Sequence, residues 1–354
     1  MPLSANLKVT DWLTLQARGN LDHSADKLRQ KFYASTATAL CGMNGRYIEM
    51  DYQETQMYGD VMAMVKKQLN DFTLDVAIGG SINDRITNST RIDSKNASLK
   101  YANVFNLANI IMNGSAGLDQ KIDARRQLQS LFATAQLGYN EFVYLDLSAR
   151  NDWSSTLAYT SHEKSGFFYP SVGFSLIFNK LMTLPRWVSL AKIRGAYSMV
   201  GNDIPMFITN PSSHITAGGE FLASDAAPFK DMEPEMTHSF EAGIEARFLK
   251  NRIGLNATFY KTNTRNQFFK LPTLSGDKYA YRYVNAGNIQ NVGWEVSLDA
   301  VPLLTNHFKW KTEVNFSTNR NKIISLHEAL KEFLYGPTTV SYTHLRAHET
   351  GAYL

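Results

Sequence analysis

The sequence predicts an all-β fold, an antiparallel transmembrane β-barrel, on three observations. Apolar residues recur with period two rather than 3.6. Tight and long connections alternate along the chain, as they do between the two sides of a membrane barrel. No run of about 18 apolar residues offers a helix that could cross a bilayer, while many amphipathic segments have the roughly 9–11 residues of a tilted membrane strand.

The segments follow in order. Near the start, Val9, Leu13, Leu15 and Ala17 alternate with Thr10, Trp12, Thr14 and Gln16, giving a strand over 7–18. Weaker alternation marks 54–66, 72–82 and 126–138. FVYLDLSAR sets Val143, Leu145, Leu147 and Ala149 against Tyr144, Asp146, Ser148 and Arg150, within a strand over 141–151. Strands over 168–178 and 189–200 come next. SFEAGIEARF sets Phe240, Ala242, Ile244, Ala246 and Phe248 against Ser239, Glu241, Gly243, Glu245 and Arg247, predicting 237–249. Ile253, Leu255, Ala257 and Phe259 give 252–263, and stripes through Trp294, Val296, Leu298 and then Trp310, Val314, Phe316 give 291–301 and 308–319. That makes about eleven strands, near the length expected of membrane strands.

QLND (68–71), GYN (138–140), KN (250–251) and PLLTNH (302–307) are the short connections. NKLMTLPRW (179–187) occupies a short slot and predicts a small helical turn ending at Pro185. Long polar stretches lie at about 83–125, 152–167, 201–236 and 264–290. Aromatics gather near strand ends, at Tyr139, Phe142, Trp153, Phe167, Phe168, Tyr169, Phe178, Trp187 and Tyr260, as in interfacial girdles. The polar faces carry Asp146, Arg150, Glu241, Glu245, Arg247, Glu295, Asp299, Lys311 and Glu313, which an aqueous lumen would solvate. A soluble β-sandwich whose loops bind a glycan at the cell surface is the alternative. It would bury Val143, Leu145, Leu147, Ile244, Leu255 and Phe259, which a barrel would turn toward lipid.

Composition narrows the function. A net charge of +4 over 354 residues, without a dense basic block, gives no footing for nucleic acid. One cysteine, Cys41, excludes an internal disulfide framework. The histidines at 23, 162, 214, 238, 307 and 327 lack ligand spacing, and no G-x-S-x-G, P-loop or G-x-G-x-x-G occurs. Glu241 and Glu245, four apart on a strand, are about 13 Å apart, too far for a glycosidase pair. An enzyme, a cofactor and a metal are therefore not expected.

Several segments together carry a resemblance. YLDLSARNDWSSTL (144–157) is followed by FFYPSVGFSLIF (167–178), KIRGAYSMVGND (192–203), SFEAGIEARFLKNRIGLNATFYKTNTRNQ (239–267), NAGNIQNVGWEVSL (285–298) and FKWKTEVNFSTNRNKIISL (308–326). In order and spacing they resemble the SusC/RagA-like branch of TonB-dependent outer-membrane receptors, over roughly 7–326. The resemblance implies an outer-membrane nutrient importer of a Gram-negative bacterium. It implies an oligosaccharide or peptide substrate, a SusD-like lipoprotein as lid, and energy from the TonB complex through a plug and TonB box. Neither plug nor box is in this sequence, so the resemblance implies a fragment, about half of a large barrel, from its middle and later part. On physical grounds Asn151, Asp152 and Ser154 can cap a turn, and RNDWSSTL is expected to be structural more than substrate-binding. Candidates facing the lumen and substrate are Tyr144, Asp146, Arg150, Trp153, Glu241 and Arg247.

The chain divides into a barrel segment over 1–339 and a foreign tail over 340–354. His344 and His348 have the spacing of a zinc pair on a helix. Yet VSYTHLRAHET (340–350) resembles, residue for residue, a translated frame of a transposase sequencing adapter. The histidine pair is therefore expected to be read-through of library DNA rather than a metal site.

Overall fold

Period-two alternation builds one sheet. The computed structural model describes residues 2–95, 99–112, 117–215, 219–274 and 276–326; the expected tail and its histidine pair lie outside them. The strands are β1 (Pro2–Lys8), β2 (Leu13–Phe32), β3 (Arg46–Leu69), β4 (Phe72–Asp93), β5 (Gly117–Tyr139), β6 (Val143–Ser154), β7 (Phe167–Ile177), β8 (Val188–Asn202), β9 (His214–Ile215), β10 (Phe221–Leu222), β11 (Glu235–Phe248), β12 (Ile253–Pro272), β13 (Tyr281–Leu304) and β14 (Lys309–Ser325). Twelve form a single antiparallel sheet in which every strand pairs with its neighbours along the chain. β9 and β10 pair separately, inside the connection from β8 to β11. The sheet is not closed: β1 and β14 are its two edges. This is an up-and-down meander, the partial-barrel topology the sequence predicts.

Two expectations need correction. The strand over 7–18 is two strands joined at Val9–Trp12, where the Leu13 amide donates to Thr10 Oγ1 at 3.0 Å and the Val9 amide to the Leu13 carbonyl at 2.9 Å. That turn contains neither Gly nor Pro, so no punctuation betrayed it. The longer strands also run well past their expected ends. β3 has 24 residues, against the roughly 9–11 that cross a bilayer, so about half of it stands outside the membrane. These projections carry polar residues on both faces, which removes the one-sided apolar stripe on which the expectation rested.

The turns obey local chemistry. Leu69 pairs with Phe72, and Asn70 takes the left-handed conformation (φ 50°) that this two-residue hairpin requires. A four-residue helix, α1 (Phe178–Leu181), fills the slot where a helical turn was expected.

Register assigns the two faces. One pairing row links Leu137, Leu145, Phe174, Gly195, Ala242, Phe259 and Trp294. Leu147, Ile244, Phe316 and Trp294 on this face remain 41 %, 46 %, 60 % and 50 % exposed, as suits contact with hydrocarbon. The neighbouring row links Gln136, Asp146, Gly173, Ala196, Glu241, Tyr260, Gly293 and Asn319 on the opposite, polar face. The connections that follow β6 and β8 fold over that polar face, whereas the β4–β5 connection packs Leu99, Phe105 and Ile110 on Tyr47 and Ile92 of the other face, at the top of β3 and β4. Leu157, Ile204, Ile208 and Met232 from connections form a buried cluster with Phe167, joined by Tyr169, Phe268 and Tyr283. A face roofed by its own loops is the interior of a barrel wall. At the short-turn end aromatics make a girdle: Phe72 and Tyr139 lie 4.8 Å apart, and Trp187 stacks on Phe248 at 5.6 Å. Phe167, Tyr169 and Tyr260 fall on the inner face instead and are not girdle residues.

Candidate functional site: the inner wall

The inner wall has two levels. In its middle lies a polar recess of about 220 Å³ lined by Asp146, Ser175, Lys192, Arg194 and Glu241, with Gly173 and Gly243 as its floor. The glycines make the recess. Arg194 crosses Gly243 to donate to Thr258 Oγ1 at 2.7 Å and Asn256 Oδ1 at 3.3 Å, and a Cβ at 243 would come within 2.8 Å of its Nε. Asp146 accepts from Gln136 Nε2 at 2.6 Å. Two carboxylates and two cations therefore meet on one wall, an arrangement suited to hydrogen-bonding hydroxyls or amides.

Above it, where β6 meets its loop, side chains tie the strands to the roof. Arg150 donates to Asp152 and to Ser130 Oγ, both at 2.8 Å, and its guanidinium lies 5.9 Å from the Phe132 ring centroid. Tyr169 donates its hydroxyl to the other oxygen of Asp152. Asp203, at the end of KIRGAYSMVGND, gathers Arg126 Nε (2.9 Å), Ser154 Oγ (2.6 Å), Thr156 Oγ1 and the Ile204 amide (2.7 Å). The two most distinctive segments of the sequence thus meet in space through one carboxylate. On the return side, Asn151 Nδ2 and Trp153 Nε1 donate to the carbonyls of Ser165 and Lys164 at 3.3 and 3.0 Å. Gly166 has φ +63°, and a Cβ there would collide with the Asp152 carbonyl oxygen, so only glycine fits. RNDWSSTL builds the loop base.

Of the expected lumen residues, Tyr144, Asp146, Arg150, Glu241 and Arg247 face inward. Arg247 lies near Asp299 (3.8 Å) and Glu245 (4.0 Å), below the recess. Trp153 does not face inward. It pairs with Gln129 and shares the face of Leu145 and Leu147, because it is an even number of residues from them. Lys192, Arg194, Arg126 and Asp203 were missed. Alternation through Lys192, Arg194, Ala196 and Ser198 would have placed the first two on the polar face. Among the described residues no group of three His, Cys, Asp or Glu could hold a metal ion.

The chain matches the family described as "TonB dependent receptor-like, beta-barrel" over residues 3–347. It is 25% identical over 235 residues to TonB-dependent receptor P39 of Formosa agariphila, covering 64% of this chain and 22% of that protein. It is likewise 25% identical over 228 residues to TonB-dependent receptor SusC of Bacteroides thetaiotaomicron, covering 58% and 22%. The chain spans about a fifth of the length of these curated relatives. Its fold is similar to that of the RagAB peptide importer in an "open-open" state, with a TM-score of 0.75 at 21% identity over 95% of this chain and 37% of the other. The ferripyoverdine receptor of Pseudomonas aeruginosa is a more distant match, with a TM-score of 0.54 at 14% identity over 91% of this chain and 40% of the other.

Proposed function

Because this chain belongs to the TonB dependent receptor-like β-barrel family, we propose that it forms part of the wall of a nutrient importer for oligosaccharides or peptides. The chain is an outer-membrane barrel segment of a Gram-negative bacterium and is not an enzyme. In the proposed reading a SusD-like lipoprotein closes the barrel from outside, and the TonB complex supplies energy through a plug and TonB box. The structure named as a peptide importer supports the peptide class, and the oligosaccharide class rests on the resemblance to the SusC/RagA-like branch.

The observation that carries the reading is the inner recess. Asp146, Lys192, Arg194 and Glu241 converge on one small hollow of a face that loops roof over. Charges of both signs hold neutral polar cargo through hydrogen bonds without trapping an ion of one sign. Tyr144, Arg150 and Arg247 extend the same polar wall above and below.

The test is growth of a strain lacking the full-length receptor, with defined oligosaccharides or peptides as sole nutrient. Restoring the receptor is expected to restore growth on one class, and deleting TonB to abolish it. Unchanged growth in the deletion strain on both classes would overturn the proposal. Co-purification of a lipoprotein with the tagged receptor checks the proposed lid.

A further inference from the structure

The outward face is not uniform above its aromatic layer. On β11–β14 that layer contains Phe259 and Trp294, 5.0 Å apart, with Phe240 one row higher, opposite Lys261. Continuing up the same face, away from the short turns, the next outward positions are cationic. Lys261, Val292 and Arg320 form one pairing row; Asn263, Gln290 and Lys322 form the next; Arg265 opposes Asn288 above them. Strands about 5 Å apart and outward residues about 7 Å apart put the four cations in a patch on the order of 10 by 13 Å.

None of the four makes an ion pair among the described residues, and Lys261, Arg265 and Arg320 are exposed. Among the described residues, the other outward positions of β11–β13 at this level are Met236, His238, Phe240, Asn263, Asn288, Gln290 and Val292, none of them a carboxylate. Of the acids above, Glu233 is engaged by Asn266 Nδ2 at 2.7 Å and Glu235 by Asn202 Nδ2 at 3.1 Å. Elsewhere on the same face, three cations of β2 and β5 are paired with carboxylates, while Lys31 and Lys67 lie near aromatic rings. Lys27 pairs with Asp51 at 3.2 Å, Arg29 with Glu49 at 3.2 Å, and Arg125 with Asp84. Unpaired cations facing outward, directly above an aromatic girdle, sit at the depth of lipid headgroups. Cations there attract anionic lipid.

We propose that Lys261, Arg265, Arg320 and Lys322 form a binding site for the phosphate headgroup of an outer-leaflet lipid. The inference rests on the outer-membrane reading above. The site would fix a lipid against β12–β14, holding this part of the wall at a set depth beside the moving loops.

Native mass spectrometry of the detergent-purified full-length receptor provides the test, with diphosphorylated lipid A, phosphatidylcholine and inorganic phosphate as probes. Retention of lipid A over phosphatidylcholine is expected, with no competition by millimolar inorganic phosphate. A Lys261→Gln/Arg320→Gln variant is expected to lose at least tenfold in lipid A retention, and Lys27→Gln to lose nothing. The variants keep a polar side chain without its charge, and heat-modifiable migration on gels verifies that each is folded. Should Lys261→Gln/Arg320→Gln not fold, Arg265→Gln/Lys322→Gln, above the girdle, serves in its place. Equal lipid A retention by wild type and folded variant overturns the site, as does displacement by inorganic phosphate. Failure of the wild-type receptor to fractionate with outer membranes would instead overturn the membrane reading itself.

Discussion

Two buried aspartates anchor the loops of this wall, and they do so with the same chemistry from different sequence. Asp93, at the top of β4, accepts from Arg46 Nε at 2.8 Å and Nη2 at 2.7 Å, from Arg91 Nη2 at 3.0 Å, and from the Lys95 amide at 2.9 Å. Asp203, just past β8, accepts from Arg126, from two hydroxyls and from the Ile204 amide. Each carboxylate has an arginine and the amide of a residue that follows it. The difference lies in reach. Asp93 ties together the ends of one hairpin, β3–β4, whereas Asp203 joins β5, the β6 loop and the β8–β11 connection. A carboxylate that closes contacts among a strand and two connections should carry more stability per atom than one that staples a single hairpin.

That comparison is broken most directly at Asp203. Asp203→Ala leaves Arg126 unpaired and Ser154 and Thr156 without their acceptor. Breaking a fully buried pair costs about 3–5 kcal/mol. The Arg126 side chain is 34% exposed, so the expected loss is at the lower end, about 3 kcal/mol. Thermal unfolding of the full-length receptor and limited proteolysis of the 203–234 connection would read it. Proteolysis unchanged from wild type would mean the hub is ornamental.

Asp93 should give the next effect, and pH reaches it without mutation. Burial raises its pKa, but the Arg46 hydrogen bonds and the Lys95 amide outweigh that and hold it at about 2. The residue lies beyond the bilayer, at the far end of a 22-residue strand. Because the folded pKa is depressed below the ordinary 3.8, the stabilisation is complete above about pH 4 and lost as pH falls toward 2. A shift of that size corresponds to about 2 kcal/mol. Protection from hydrogen exchange at the tops of β3 and β4, taken against the intrinsic rate at each pH, should fall over this window in wild type. Asp93→Asn should flatten the response.

How legible each anchor was follows from the same contrast. The membrane-crossing parts of the strands were visible because lipid on one side and water on the other impose period two; β6 was expected over 141–151 and runs Val143–Ser154. Asp203 lay within a recognisable segment, yet its partnership with Ser154 and Thr156 needed coordinates, since nothing in alternation says which loops touch. Asp93 lay in 83–125, expected to be a loop, because NDRITNSTRID has polar residues on both faces and hence no stripe. Chemical type leaves Trp153 open as a girdle residue or a lumen candidate, and parity with Leu145 puts it on the outward face with the girdle.

The smallest effect separates the anchors by backbone rather than charge. A left-handed residue lies beside an aspartate in each region: Gly166 at φ +63° beside Asp152, in the β6–β7 loop that Asp203 ties down through Ser154 and Thr156, and Lys95 at φ 52° two residues past Asp93. At 166 the side-chain position is closed by the Asp152 carbonyl, so Gly166→Ala meets both the left-handed penalty of roughly 1–2 kcal/mol and a collision with backbone. At 95 a full lysine is already accommodated, so space is open and only the conformational penalty applies. Lys95→Gly removes that penalty while adding freedom to the unfolded chain, two terms of about 1 kcal/mol and opposite sign. The expected outcome is a loss of about 2 kcal/mol for Gly166→Ala and a change within about 0.5 kcal/mol for Lys95→Gly. Comparable losses at both sites would mean that Lys95 makes contacts of its own that hold the hairpin, and that the two anchors differ in more than reach.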